Sequence, residues 1–535
     1  MIENRNGLWP WAVAAILGVG VGARLVQVTG DGFGYDDYAL MEGVDGPFGQ
    51  YARAGAYLLP TRLVCWLVYR LLGGELWCFL LPAVLVGVGT LFVVREGLAR
   101  HWPERFELHA VVLGLLAFST HGLYVSGYAS VTYAVSFFVA CWLFFVFLTL
   151  AERDFGRREA VAHALLFVPA AFFSNVTILV PVGVGGAAAL AVRLVREPGM
   201  RGVGPVVRAL ASMWPLAVFF VVHAALWYAF PFANLGHDAR PDMRAYFLAS
   251  SGFSDGGVLG VARFVVHGGL IMILQAFRQS VDGVLTMRGN LMMLKILAGV
   301  CAGCVAVVAF SRLGDGRLSR RALFVWAYLI LLFVVTAAGG VAGVFPYGNL
   351  RYADALLLPM CVALATTFSP VQRVQPDVSR STAAVVCLAV AAFGVFLVFR
   401  NHDELVRVRE SNHSVLTVVR KADVPHIFYA AFQRPVLLAR APEIVRDGVP
   451  MGWGAVYGQT APAEAALAVL DALPPAVIVI APSRHSFDTA YSAYAEAFAQ
   501  RGYRLTKYKD GANIWAAMFE WIGDEPPEWN AAPGR

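Results

Sequence analysis

Charge is what this sequence has least of. Lys, Arg, Asp and Glu make up 15% of its 535 residues, against roughly 25% in soluble globular proteins. Hydrophobic residues reach 58% and the mean hydropathy is +0.62, which excludes an ordinary soluble domain and implies a polytopic membrane protein. Cysteine is scarce and confined: the seven, at 65, 78, 141, 301, 304, 361 and 387, all lie in or beside apolar runs. Cys301 and Cys304 have CxxC spacing, but they fall mid-run with no nearby His or further Cys, which argues against a metal or redox centre. The sequence has no GxGxxG and no P-loop, so nothing supports a nucleotide site. No internal repeat stands out. The start, MIENRNGLWPW, carries no small-residue cleavage site before a long apolar run, so that run is expected to stay as an anchor. The net charge of +6 does not point to nucleic acid, because the basic residues cluster in short loops between apolar runs, as topology signals do.

A helix crossing the hydrocarbon layer needs about 20 apolar residues. Such runs fall at 9–28, 76–94, 107–125, 130–150, 160–173, 176–193, 209–230, 291–310, 322–341, 354–368 and 382–399, eleven in all. The basic loops are 95–105, 152–158, 193–208, 311–321 and 371–380. With the N-terminus inside, all five share the cytoplasmic side. Two further stretches, 53–72 and 257–279, are interrupted by Arg53 and Arg62, and by Arg263, His267 and Gln275. Counting either alone as a span would break the charge rule, so both are expected as interfacial helices. The segments 30–62, 231–290, 345–354 and everything after about 401 then lie outside. The fold class expected is a polytopic all-α membrane domain over 1–400, with about eleven transmembrane helices plus interfacial helices, followed by a C-terminal extracytoplasmic α/β domain over 401–535. In that domain helices are expected near 404–421, 463–473 and 487–501, and strands at 426–432, 476–482, 503–509 and 513–521.

The first outer segment is acidic: Asp31, Asp36, Asp37, Glu42 and Asp45 precede Arg53, the first basic residue after them. Carboxylates crowded at a membrane surface repel one another, and they persist mainly where a cation or a proton is meant to arrive. In Tyr35-Asp36-Asp37-Tyr38 a partly desolvated carboxylate with a like-charged neighbour is suited to act as general base on a hydroxyl. The alternatives are a turn-forming pair of acids and a divalent cation held by Asp36 and Asp37 with Glu42 or Asp45. A base needs an electrophile, and FPYGNLRYAD (345–354) sets Arg351 at the outer end of a run beside Tyr347, Gly348 and Tyr352. Its planar fork suits phosphate oxygens, unless it only snorkels to headgroups. Arg53 and Arg62 are further phosphate candidates, or partners of the Asp residues. His121, Tyr124 and Tyr128 on one outer segment, and His237, Asp238 and Arg240 on another, are candidates to line the same cavity or to serve as structural groups.

The acidic GYDDY (34–38) in the first outer loop and FPYGNLRYADALLLP (345–359) before a late span resemble the pattern of GT-C-type polytopic membrane glycosyltransferases. Within that class the similarity is to polyprenyl-phosphate-sugar-dependent enzymes related to protein mannosyltransferases and lipid A aminoarabinose transferases. The resemblance implies transfer of a sugar from a polyprenyl-phosphate carrier to an extracytoplasmic hydroxyl of a glycan, lipid or protein, with inversion. It implies Asp36 or Asp37 as base and Arg351 at the donor phosphate, in a bacterial inner membrane with the site on the periplasmic side. Many members have Asp-Glu where this chain has Asp-Asp, and related glucosyltransferases have Gly-Arg where it has Thr61-Arg62. Two other function classes stay open. A polymerase or ligase using lipid-linked donors would rely on 231–290 with Arg240, Arg244 and Arg278. A lipid-linked-sugar transporter or flippase would normally show mid-membrane acids and repeated halves.

Overall fold

The computed structural model describes residues 8–29, 44–53, 59–73, 76–126, 131–174, 176–197, 202–229, 257–277, 319–342 and 354–368. Farther on it describes 385, 392, 406–407, 410–422, 424, 427–430, 437, 441–451, 476–482, 498–500, 502–511 and 514–522. The chain divides into two compact units, Met1–Leu25 with Pro82–Val398 and Val26–Leu81 with Phe399–Arg535. The helices, in chain order, are α1 (Trp9–Leu25), α2 (Phe48–Arg53), α3 (Leu59–Leu72), α4 (Leu76–His101), α5 (Phe106–Ala117), α6 (Thr120–Ser126), α7 (Val131–Glu152), α8 (Arg157–Phe173), α9 (Leu179–Arg196), α10 (Val203–Ser212), α11 (Trp214–Ala229), α12 (Gly257–Phe277), α13 (Arg320–Val341) and α14 (Asp354–Phe368).

Among the described residues α4, α7, α9 and α13 are long and apolar enough to cross a membrane, and the pair α10–α11, bent by 54°, makes a fifth candidate. Three expected boundaries change. The basic stretch after residue 94 does not open a loop, since α4 continues to His101. The expected span 107–125 is broken: α5 stops at Ala117, and Ser119 starts a new helix by accepting the Gly122 N–H at 3.0 Å. The expected span 209–230 breaks at Met213, between α10 and α11. The expected span 291–310 and nearly all of 382–399 lie outside the described residues.

In the first unit α7 is the centre. Its sequence VTYAVSFFVACWLFFVFLTLAE is apolar all round, and it is buried along most of its length. Around it α9 packs on α7 and α13, α14 packs on α5, α7 and α13, α1 lies along α5, and α11 lies along α8. Small residues set the spacing, as they do where helices pack without a hydrophobic driving force between them. A Cβ at Gly97 would stand 2.3 Å from the Phe145 ring, and one at Gly185 only 2.1 Å from the Phe147 ring.

Ion pairs tie together one end of this bundle. The His101 ring approaches Glu152 at 3.3 Å, Arg321 reaches both Glu152 and the His101 carbonyl, and Arg320 reaches Glu197 at 3.0 Å. Arg193 pairs with Asp154 at 2.5 Å, and Ser212 donates to the same carboxylate at 2.9 Å. The ends of α4, α7, α9 and α10 and the start of α13 therefore meet, and four of the five basic loops sit at one face.

In the second unit a five-stranded sheet has the order β2-β1-β3-β5-β4. Its strands are β1 (Ile427–Ala430), β2 (Val449–Met451), β3 (Ala476–Pro482), β4 (Tyr503–Asp510) and β5 (Ile514–Trp521). β1 runs parallel to β2 and β3, whereas β3–β5 and β4–β5 are antiparallel. Val415, Leu416 and Val419, on the helix over 410–421, pack against Ile478 and Ile480 of β3. Four strands lie where the alternation puts them. β2 and the short helix α15 (Pro442–Asp447) before it are additions.

Candidate active site

Most of the residues singled out from the sequence lie outside the described residues: Asp36, Asp37, Glu42, Tyr128, His237, Tyr347, Arg351 and Tyr352. Five are described, at least by their backbone. Arg53 ends α2, and His121 and Tyr124 lie in α6. Arg62 is buried on α3, next to the equally buried Thr61, so it does not lie on the helix's exposed face. Asp45 is exposed.

The C-terminal edge of the acidic stretch is pinned to α3, and the pinning residues are not the ones expected. Arg70 Nη2 donates to the backbone carbonyls of Asp45, at 3.0 Å, and Gly46, at 3.2 Å. Trp66 Nε1 donates to the Gly46 carbonyl at 3.2 Å, and its ring stands 5.4 Å from that of Phe48 on α2. The Arg70 guanidinium lies over the Trp66 ring, 5.5 Å from its centroid, a cation–π contact. The planar fork and flat face of an arginine do both jobs at once, which a lysine cannot. Arg70 thus grips carbonyls and leaves the Asp45 side chain exposed. Its spacing from Trp66, i and i+4 on one helix face, is a signal that was legible in the sequence.

A second cationic centre, in the first unit, also escaped the sequence reading. Arg24, in the last turn of α1, is 0% exposed. Its Nη1 donates to the carbonyls of Gly20 and Ala117, each at 3.1 Å, tying the ends of α1 and α5 together. Nε and Nη2 are buried and have no hydrogen-bond partner among the described residues. The signal was present in the sequence: Arg24 is the sole charged residue between Arg5 and Asp31.

Arg24 lies well away from the ion-paired end of the bundle. A Cβ at Gly87 of α4 would stand 3.4 Å from Arg24 Cδ. Gly87 precedes His101 by fourteen residues of continuous helix, about 21 Å at 1.5 Å per residue. The ion-paired end therefore serves as framework, joining the ends of the bundle helices. Among the described residues no group of three or more His, Cys, Asp or Glu is placed to hold a metal ion.

No family model matches the sequence, and no curated protein matches it. The fold is similar to that in the crystal structure of ArnT from Cupriavidus metallidurans bound to undecaprenyl phosphate, with a TM-score of 0.52 and 12% identity, over 95% of this chain and 98% of that one. The likeness shows a GT-C-like fold along nearly the whole chain.

Proposed function

We propose that this protein is a membrane glycosyltransferase that moves a sugar from a polyprenyl-phosphate carrier to an acceptor hydroxyl. The observation that carries the reading is the shared fold: 95% of the chain follows a protein whose structure holds undecaprenyl phosphate. The acidic GYDDY and the later Arg351 segment supply the residue types that the chemistry requires. The acceptor oxygen attacks the anomeric carbon while the bond from that carbon to the phosphate oxygen breaks, and the configuration inverts. The acceptor proton passes to Asp36 or Asp37, and the leaving group is the lipid phosphate, whose charge Arg351 stabilises. Arg53, Arg62 and Tyr352 are secondary candidates at that phosphate. Glu42, Asp45, His121, Tyr128, His237 and Tyr347 are candidates for the cavity and acceptor side. A lipid donor also fits the sequence's lack of a nucleotide-binding motif. The site and the C-terminal sheet are assigned to the extracytoplasmic side of a bacterial inner membrane, where activated sugars arrive on lipid carriers.

The test is donor turnover. Membranes containing the protein are incubated with polyprenyl-phosphate sugars, and release of free polyprenyl phosphate is followed by mass spectrometry. The wild type should consume at least one donor when an acceptor is present. Asp36→Asn with Asp37→Asn should cut the rate by about 10²–10⁴, the worth of a general base, at unchanged protein abundance. Full turnover in that double variant would sink the assignment.

A further inference from the structure

β4 stands at one edge of the C-terminal sheet and pairs with β5 alone among the described strands. Its sequence, YRLTKYKD, holds three cations, Arg504, Lys507 and Lys509, and all three are exposed. In an unbroken strand residue 504 would face one way and residues 507 and 509 the other, because side chains alternate. The register shows a different arrangement. Leu505 lies opposite Phe519 and Lys507 opposite Met518, which leaves Thr506 as the extra residue of a β-bulge. The Thr506 hydroxyl donates to the Met518 carbonyl at 3.4 Å. Arg504 opposite Glu520, Lys507 opposite Met518 and Lys509 opposite Ala516 therefore share one face of the sheet. Each is two β5 residues from the next, about 7 Å along the strand.

This is the face on which the helix over 410–421 covers Ile478, Ile480 and Ala516. The cover ends at a cleft where Val418, Val419 and Ala422 meet Lys507. Lys421, exposed and next to Ala422 in the chain, adds a fourth positive charge. Among the described strand residues Glu520 is the sole carboxylate on this face. None of the four cations forms a salt bridge among the described residues. Lysines and bulges both discourage an edge strand from pairing with another chain. Neither device requires like charges to gather on one face, where they repel one another.

We propose that this face of β4 is a docking surface for an extended anionic glycan, whose acidic groups pair with Arg504, Lys507 and Lys509. A single file of cations at regular intervals matches a linear polyanion. A bilayer surface would call instead for apolar side chains among the charges, and β4 turns none toward this face. Under the function proposed above the glycan is the acceptor, and this identification alone rests on that reading.

The experiment uses the full chain in phosphatidylcholine nanodiscs and measures binding of polygalacturonate fragments, dextran of the same length and vesicles containing phosphatidylglycerol. Lys507→Glu with Lys509→Glu reverses two charges of the row, and Lys507→Gln with Lys509→Gln removes them more gently. Arg157→Glu with Arg158→Glu makes the same charge change at exposed positions on α8. Melting temperatures check that each variant is folded. The wild type should bind polygalacturonate and not dextran, with an affinity that falls as salt is raised. The Glu pair should weaken binding about tenfold or more and the Gln pair about three- to tenfold, while the α8 pair binds as the wild type does. Equal losses in the β4 and α8 pairs would overturn the site, since net charge alone would then explain the binding. Lysine-dependent capture of vesicles without polygalacturonate binding would also overturn it, in favour of a lipid surface. Donor turnover judges the transferase reading separately. Turnover by a wild type that binds no polygalacturonate overturns the docking surface alone, and binding without turnover keeps the surface and removes its identification with the acceptor.

Discussion

Arg193 on α9 and Asp154, just beyond α7, are joined by a contact of 2.5 Å, and Ser212 at the end of α10 completes the group. The Arg193 guanidinium holds the Asp154 carboxyl below its ordinary value of 3.8, and the Ser212 hydroxyl and nearby Arg208 act in the same direction against partial desolvation. A carboxylate depressed in the folded state binds its proton more readily when unfolded. It therefore stabilises the fold above pH 3.8, and that contribution fades as pH falls through the lower folded value. Asp154→Asn should lower the melting temperature at pH 7, and the gap should shrink toward zero in an acid series. Because Asp154 is 51% exposed, the gap should also narrow in high salt. A constant gap down to pH 2 would contradict the pairing.

That contact also shows what the sequence could reveal. Clustered Arg in short loops marked the residues that gather at one end of the bundle, because the charge bias acts loop by loop. It could not reveal which apolar helix is central. A helix packed on all sides and one facing lipid are equally apolar, and only tertiary packing separates α7 from the rest. The break at Ser119 was hidden for a related reason: hydropathy averages across 107–125, while one hydroxyl taking one backbone N–H starts a new helix. In the C-terminal sheet β3 and β5 carry long β-forming runs and stood out. β2 is three residues long with Pro450 in its middle, which is tolerated because it is an edge strand. The candidate acids and Arg351 were named from residue type and position alone, and two arginines that the structure shows buried or stacked, Arg24 and Arg70, were passed over. Arg24 sits inside an apolar run, where attention goes to length. Arg70 was legible only through its i, i+4 spacing from Trp66; the backbone carbonyls it grips leave no mark in the sequence.

Gly185 lets α9 lie directly on the ring of Phe147, with 2.1 Å from its Cβ position to the nearest ring carbon. Gly185→Ala should cost about 1–3 kcal/mol of stability, the usual penalty for overpacking. Adding Phe147→Leu should return part of that loss, because the flat ring is the obstacle. The check is a double-mutant cycle on melting temperature in one detergent. Additive losses with no recovery would show that the clash is relieved elsewhere.

Tyr328 on α13 is fully buried against Phe144 and Phe324, with ring centroids at 5.8 and 5.7 Å. Its hydroxyl has no hydrogen-bond partner among the described residues. A buried, unpaired hydroxyl costs free energy that a ring hydrogen does not. Tyr328→Phe should therefore leave stability unchanged or raise it by about 1 kcal/mol. A loss of similar size on thermal unfolding would mean that the hydroxyl has a partner after all.

Arg70 and Trp66 fix where the acidic stretch rejoins the helices, through carbonyls at Asp45 and Gly46. Arg70→Ala deletes two of the three hydrogen bonds and uncovers the Trp66 face. The bonds are exposed, so global stability should move by less than about 1 kcal/mol. The local effect should be larger, because among the described residues the Asp45 carbonyl loses its side-chain partner and the Gly46 carbonyl keeps only Trp66. Hydrogen exchange of α2, whose first turn includes the Gln50 amide bonded to the Pro47 carbonyl at 3.0 Å, should quicken about three- to tenfold. Arg70→Lys should fall between, since an ammonium reaches one carbonyl and cannot stack flat on the indole. Exchange in α2 that is the same in all three proteins would show that Trp66 alone sets this edge of the acidic segment.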